Sequence, residues 1–341
     1  MKSKRFFITS LLGLSIAAAA IAGTAGASGK GTLSGAGSTF VYPLVSTWAS
    51  DYHASKINYS PIGSGGGIQA ISNRQVDFGA SDAPLTKDQS AGCHGCVQIP
   101  WALAGTSVPY HLKGVSPHLK ITGTVLAKIY LGQIKKWNAP AIKKLNKGVS
   151  LPSEKITPIY RSDASGTTYN FTDYLSKVSK AFKSRIGRGT QVNFPTGIGA
   201  SHSSGVSAAL NQTNGGIAYV DTAYSVKNHF KYFRVQNRAK KFILPTVRSC
   251  NQARKTVTRI PKSNEMHIVD PPKTRPKAYS ICTFTYVIVP KHAPKAAALK
   301  AFIKWAVLKG QKVPGAQADL KFTPIGHKVQ AAALATLKKV H

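Results

Sequence analysis

Tyr160-Arg161-Ser162-Asp163-Ala164-Ser165-Gly166-Thr167-Thr168 is the stretch on which the fold turns. Thr157-Pro158-Ile159-Tyr160 leads into it as a strand, and Tyr169, Phe171, Tyr174 and Leu175 begin the apolar stripe of a helix. Ser165 is a good N-cap, because its hydroxyl accepts from free amides of the first turn. Gly166 lets the backbone come close to a ligand. A helix N-terminus offers unsatisfied N–H groups and a partial positive charge, so it binds anions. Arg161 adds a planar, permanently charged fork that matches a tetrahedral oxyanion. The stretch reads as half of an anion clamp.

Toward the N-terminus the same strand–turn–helix pattern recurs. Residues 32–37 form a short strand and a glycine turn, and Ser38-Thr39-Phe40 enters a helix that tolerates Pro43 in its first turn. Val41, Leu44, Val45 and Trp48 share one face of that helix and belong to the core. Residues 57–62 read as a strand running into the loop Gly63-Ser64-Gly65-Gly66-Gly67, with a helix from Ile68. A glycine run alone is weak. Between strand and helix it can converge several N–H groups on one point, a nest for an anion. A third strand, 76–80, ends in Ser81-Asp82-Ala83-Pro84, where a lone Asp ordinarily serves a turn.

Residues 99–110 read as a strand and a chain crossover. Thr122 caps a helix that stops at Gly132, and Trp137 opens another. Beyond the clamp come glycine-flanked segments around a helix at 204–211, then 227–277, basic and without clear period. A strand at 278–290, a helix opened by Pro294 and ended by Gly310, and a last helix near 328–338 complete the chain. Strands alternating with helices imply an α/β fold with ligands at the carboxyl ends of the strands.

Lys2, Lys4 and Arg5, the apolar run 6–21 and Ala25-Gly26-Ala27 make residues 1–27 a cleavable signal peptide, with the mature chain starting near Ser28. Export to the periplasm or another extracytoplasmic space is expected. The chain has 46 Lys+Arg against 11 Asp+Glu, a formal net of +35 that loses 3 with the leader. Such a charge raises nucleic-acid binding, but the basic residues are scattered and form no long block. The scarcity of carboxylates suits an acidic setting, since titrating carboxylates drive acid unfolding. A general anion-attracting field is compatible with the same count. Four cysteines in an exported chain favour disulfides, with Cys250–Cys282 the preferred long-range pair and Cys93-His94-Gly95-Cys96 able to close a local loop. The rival is a redox or zinc motif. No second ligand pair is spaced for zinc, and Val97 stands where haem attachment needs His.

The three Gly/Ser-rich junctions and Arg161 all donate hydrogen bonds, whereas an ionised Asp82 only accepts. A carboxylate facing an anion repels it unless the anion brings a proton. Phosphate does so at ordinary pH and sulfate does not, so Asp82 would select phosphate. In an acidic habitat Asp82 would need a lowered pKa to remain an acceptor.

These residues sit in stretches that closely resemble the PstS family, the periplasmic phosphate-binding proteins of Pst ABC transporters. The stretches are GAGSTFVYPLVSTWASDY (35–52), NYSPIGSGGGIQAI (58–71), VDFGASDAPLT (76–86), TGTVLAKIYLGQIKKWNAPAIKKLN (122–146), YRSDASGTTYNFTDYLSKVS (160–179) and GGIAYVDTAY (215–224). Residues 278–341 match more loosely and 225–277 hardly at all. The resemblance implies a type II periplasmic binding protein, α/β, with two lobes joined by two crossover strands: 28–108 plus 283–341, and 109–282. It implies phosphate ligands at Thr39, Phe40 (main chain), Ser64, Asp82, Arg161, Ser165, Gly166 and Thr167, with Asp163 pairing the arginine. It implies a monomeric binding protein serving a Pst-type permease and its ATPase subunits, with no cofactor, metal, nucleic acid or catalytic activity. The chain departs from the family in its charge, a short loop at Ala54-Ser55-Lys56 and its cysteines. Enzyme signatures are missing: there is no Gly-x-Ser-x-Gly elbow, His-Glu-x-x-His or Walker A loop.

Overall fold

Strands Thr32–Gly37, Lys56–Ser60 and Phe78–Ser81 are parallel, with Thr32–Gly37 between the other two, and each is joined to the next in sequence by a helix. The linking helices are Tyr42–Asp51 and Gly63–Ser72. Two long strands extend this sheet antiparallel: Cys282–Pro290 against Phe78–Ser81, then Cys96–Ser107 against Cys282–Pro290. Val220–Asp221 closes the six-stranded sheet beyond Cys96–Ser107. A register shift lies opposite Thr285/Tyr286, where Pro100 pairs with Tyr286 and Ala102 with Thr285. Pro100 has no N–H for a regular ladder, and Trp101 is the extra residue of the resulting bulge. Its ring packs against Trp48, Phe78 and Phe302 at the centre of the core.

A five-stranded sheet supports the other lobe. Thr157–Arg161 is parallel to Ile198–Ala200 and Gly216–Ile217, while Pro109–His111 runs antiparallel to Gly216–Ile217 and Lys231–Tyr232. A three-stranded sheet of Lys120–Ile121, Arg234–Gln236 and Phe242–Ile243 flanks it. The computed structural model describes residues 31–115 and 118–341, with Gly31–His341 one unit, and the expected signal peptide lies outside the described residues. Within them, no helix is long and apolar enough to cross a membrane.

Two local expectations change. Gly63-Ser64-Gly65-Gly66-Gly67 is the start of helix Gly63–Ser72, not a loop before it. Each interior glycine costs about 1 kcal/mol of helix propensity. Close packing explains the glycines: a Cβ on Gly67 would fall 2.4 Å from the Gly37 Cα, and one on Gly65 2.4 Å from the Ala164 Cβ. In 227–277 a helix at Val247–Arg254 emerges, begun by a Thr246–Ser249 capping box. Disulfides join Cys250 to Cys282 and Cys93 to Cys96. The stretch around residue 264 bonds to the long strands: Gln98 Nε2 donates to Ser263 O (2.8 Å), and the Met266 amide to Tyr286 Oη (3.0 Å).

Candidate functional site

Strand exits from both large sheets meet at one place. Thr39 follows Thr32–Gly37, Ser64 opens helix Gly63–Ser72, and Asp82 follows Phe78–Ser81. Arg161 ends Thr157–Arg161, and Ser165 caps helix Gly166–Val178. Thr39, Ser64, Asp82, Arg161, Ser165 and Thr167 are each at most 2% exposed. The amide of Gly65 donates to Ala164 O at 2.9 Å, and the Gly166 amide to Ser64 Oγ at 3.1 Å, so the two lobes touch at the site. A Cβ on Gly166 would fall 2.7 Å from the Asp82 Cβ, so only glycine allows this approach.

Asp82 is held by hydroxyls. Ser38 Oγ donates to its Oδ1 at 2.5 Å and Ser64 Oγ to its Oδ2 at 3.5 Å. Asn170 Nδ2 donates to its main-chain carbonyl at 2.8 Å. Burial pushes the Asp82 carboxyl from an ordinary 3.8 up to about 7, against the opposing pull of the Ser38 bond, the Arg161 charge and Ser64. The lowered value expected for an acidic habitat is therefore reversed, because desolvation outweighs the nearby cation.

Arg161 is fixed on both flanks. Its Nε and Nη2 donate to the two Asp163 carboxylate oxygens at 2.6 and 2.5 Å, and its Nη1 donates to Thr39 Oγ1 at 3.0 Å. Burial pushes Asp163 up, but the guanidinium and the His202 amide outweigh it and hold its carboxyl below the usual range. Behind Arg161, its own amide donates to Tyr219 Oη at 3.1 Å, and that hydroxyl also bonds Thr168 Oγ1 at 2.9 Å.

The eight expected ligand positions differ in what they offer. Ser64, Asp82 and Gly166 are linked by the bonds above, and so are Thr39 and Arg161, while the Arg161 charge acts on Asp82. Ser165 Oγ accepts from the amides of Thr167 and Thr168, so its hydroxyl serves its own helix. Thr167 Oγ1 is buried without a partner. Phe40 follows the exit of strand Thr32–Gly37, and its ring packs edge-on against Phe322. Ser203 was missed by sequence reasoning: its hydroxyl lies 2.9 Å from Thr39 Oγ1 and 3.5 Å from Arg161 Nη1. The signal was present, since Ser203 lies in the first turn of helix His202–Gln212, which closely follows strand Ile198–Ala200, the same junction grammar as the clamp. Asp221 was also missed. It is buried, one oxygen accepts from the Tyr224 amide, the other has no partner, and burial with the charge of Asp82 pushes its carboxyl well up. Among the described residues no group of three or more His, Cys, Asp or Glu is arranged to hold a metal ion.

This cage of donors with one acceptor stands between the lobes of a binding-protein fold. Residues 22–309 match the model of the PBP superfamily domain. Among solved structures, a phosphate-binding protein from Stenotrophomonas maltophilia superposes with a TM-score of 0.69 at 18% identity, covering 89% of this chain and 93% of that one. A high affinity periplasmic phosphate-binding protein (PfluDING) bound with phosphate gives 0.68 at 19% identity, with the same coverage. At that identity the likeness establishes the two-lobed type II fold. Sequence relatives go further. The phosphate-binding protein PstS of Xylella fastidiosa (strain Temecula1 / ATCC 700964) is 40% identical over 300 residues, 86% of this chain and 81% of that protein. The PstS of Haemophilus influenzae (strain ATCC 51907 / DSM 11121 / KW20 / Rd) is 36% identical over 332 residues, 95% of each. The chain belongs to the PstS family.

Proposed function

We propose that this chain captures inorganic phosphate between its two lobes in an extracytoplasmic space and hands it to a Pst-type ABC permease with its ATPase subunits. It does so as a monomer, as a carrier and not a catalyst. The observation that carries this reading is the acceptor Asp82 in a wall otherwise made of donors: the Arg161 guanidinium, the Thr39, Ser64 and Thr167 hydroxyls, and the N-terminus of helix Gly166–Val178. A tetrahedral anion satisfies the donors, and its proton satisfies the carboxylate. Within the cage Thr39, Phe40 (through its main chain), Ser64, Asp82, Arg161, Ser165 (through its cap), Gly166 and Thr167 are the proposed ligand set. Asp163 orients Arg161, and Ser203 joins the set.

The lobes are proposed as 28–108 plus 283–341, and 109–282, after a leader of 1–27. The chain crosses between them at the end of Cys96–Ser107 and at the start of Cys282–Pro290. Hinge motion about these strands opens the site, and closure buries the anion. Calorimetric titration with phosphate, arsenate and sulfate tests the reading. Phosphate should bind and sulfate fail above about pH 8, where Asp82 is ionised. Sulfate binding as tightly as phosphate there, or binding to DNA with indifference to phosphate, overturns it.

A further inference from the structure

The loop Cys93-His94-Gly95-Cys96 plays no part in the anion site, and its surroundings differ from those of the other disulfide. Cys250 and Cys282 are sealed in the core at 1% and 0% exposure. Cys96 is half-buried and lines a cavity of about 630 Å³ together with Lys87, Lys262, Lys291 and Lys339. None of these four lysines forms an ion pair among the described residues. Glu265 also lines the cavity and bonds His267 at 2.8 Å, so four lysines face one carboxylate and the net positive field concentrates anions.

Arg74, itself an exposed residue, lies against the sulfurs. Its Nη1 is 3.8 Å from Cys93 Sγ and 3.6 Å from Cys96 Sγ. Three carbonyls hold it there: Nη1 donates to Ile71 O (2.8 Å), and Nη2 to Cys93 O (3.0 Å) and His94 O (3.1 Å). Its position is thus set by backbone carbonyls, one of which, Ile71 O, lies outside the disulfide loop. A guanidinium beside a sulfur favours the thiolate, and a stabilised thiolate is a better leaving group.

We propose that Cys93–Cys96 is a thiol–disulfide exchange site for an anionic thiol, with Cys96 the sulfur attacked and Cys93 the leaving group. The incoming thiolate forms a bond to Cys96 Sγ. The Cys93–Cys96 bond breaks, and its electron pair stays on Cys93 as a thiolate beside Arg74. A second thiolate of the same reagent then attacks the external sulfur of the mixed disulfide and releases Cys96. The two cysteines take up the two protons that the reagent lost. One protein disulfide and two thiols become one protein dithiol and one external disulfide.

The test exposes folded protein to mercaptosuccinate and to uncharged mercaptoethanol at matched thiolate concentration, traps the products by alkylation, and locates them by peptide mass spectrometry. The mixed disulfide is expected on Cys96 and the alkyl group on Cys93, with Cys250–Cys282 intact. Mercaptosuccinate should react several-fold faster, and high salt should remove its lead. Arg74→Gln should slow both reagents. Should that variant fail to fold, the exposed pair Lys87→Gln and Lys291→Gln provides the second arm, abolishing the preference for the anionic thiol. Opening of both disulfides together, a mixed disulfide on Cys93, equal rates for the two reagents, or an unchanged rate in folded Arg74→Gln each overturns the proposal.

Discussion

Asp82 and a bound phosphate compete for one proton. The protein sets the Asp82 carboxyl at about 7, a pH at which phosphate itself still carries a hydrogen. An ionised Asp82 with the proton on phosphate and a neutral Asp82 with the proton given up by phosphate are then nearly the same hydrogen bond. Sulfate brings no proton, so it is rejected only while Asp82 is ionised. Sulfate competition is therefore expected to be weak above about pH 8 and to grow as the pH falls below about 7, where a protonated Asp82 becomes a donor. Asp82→Asn should flatten that profile, because an amide offers a donor at every pH. It should also weaken phosphate by about tenfold to a hundredfold, the 1.5–3 kcal/mol of a charged hydrogen bond. Competition calorimetry across pH reads both. A wild-type sulfate profile that stays flat down to about pH 4 would show that Asp82 remains ionised in the complex.

At the scale of elements, closure depends on helix Gly63–Ser72 meeting the turn before helix Gly166–Val178. A Cβ on Gly65 meets the Ala164 Cβ at 2.4 Å and the Ala164 carbonyl at 3.3 Å, a clash that parting of the lobes would relieve. Gly65→Ala should weaken phosphate at least tenfold while leaving thermal stability measured without phosphate nearly unchanged. Ala164→Gly, added to it, should recover part of the loss. This is the coupling expected of two sites in direct contact. An unchanged affinity for Gly65→Ala would mean that the lobes need not meet there. The same contact explains what was legible in the sequence. Strand exits followed by helix starts gave the α/β class and the positions of Thr39, Ser64, Asp82 and Arg161, because capping and apolar period are local properties. The helical state of Gly65-Gly66-Gly67 was not legible, since the close neighbours of Gly65 and Gly67 are Ala164 and Gly37, both far from them in the sequence. Helix Val247–Arg254 was hidden for a similar reason: its buried face is small, with Ser249, Cys250 and Ala253 inward, and the disulfide to Cys282 ties it down. Ser203 follows the legible grammar, but its value depends on Thr39 and Arg161 reaching it across the site.

For the whole molecule, charge decides how the fold meets acid. Of its 11 carboxylate side chains, the two in or behind the cage, Asp82 and Asp221, are pushed up by burial. Asp77 and Asp163 are pulled below the usual range: burial raises both, and the Ser34 amide with Lys295, and Arg161 with the His202 amide, outweigh it. The signs differ. Between 3.8 and about 7 the folded chain keeps a proton on Asp82 that the unfolded chain releases, so stability falls as pH rises through that window. At neutral pH this costs about 4 kcal/mol, regained on acidification. Asp221 adds to the same trend. The contributions of Asp77 and Asp163 are complete above about 3.8 and are lost only as pH falls through their lower folded values. Against this stands the repulsion of a chain at +35. With few carboxylates to protonate, the melting temperature at fixed ionic strength, in buffer without phosphate, is expected to hold or rise from about pH 7 to about pH 4 and to drop only below that. In Asp82→Asn the rise should shrink, since the titrating group is gone. A protein already unfolded at about pH 4 would remove the case for an acidic habitat, leaving its positive field to be explained by the anions it attracts.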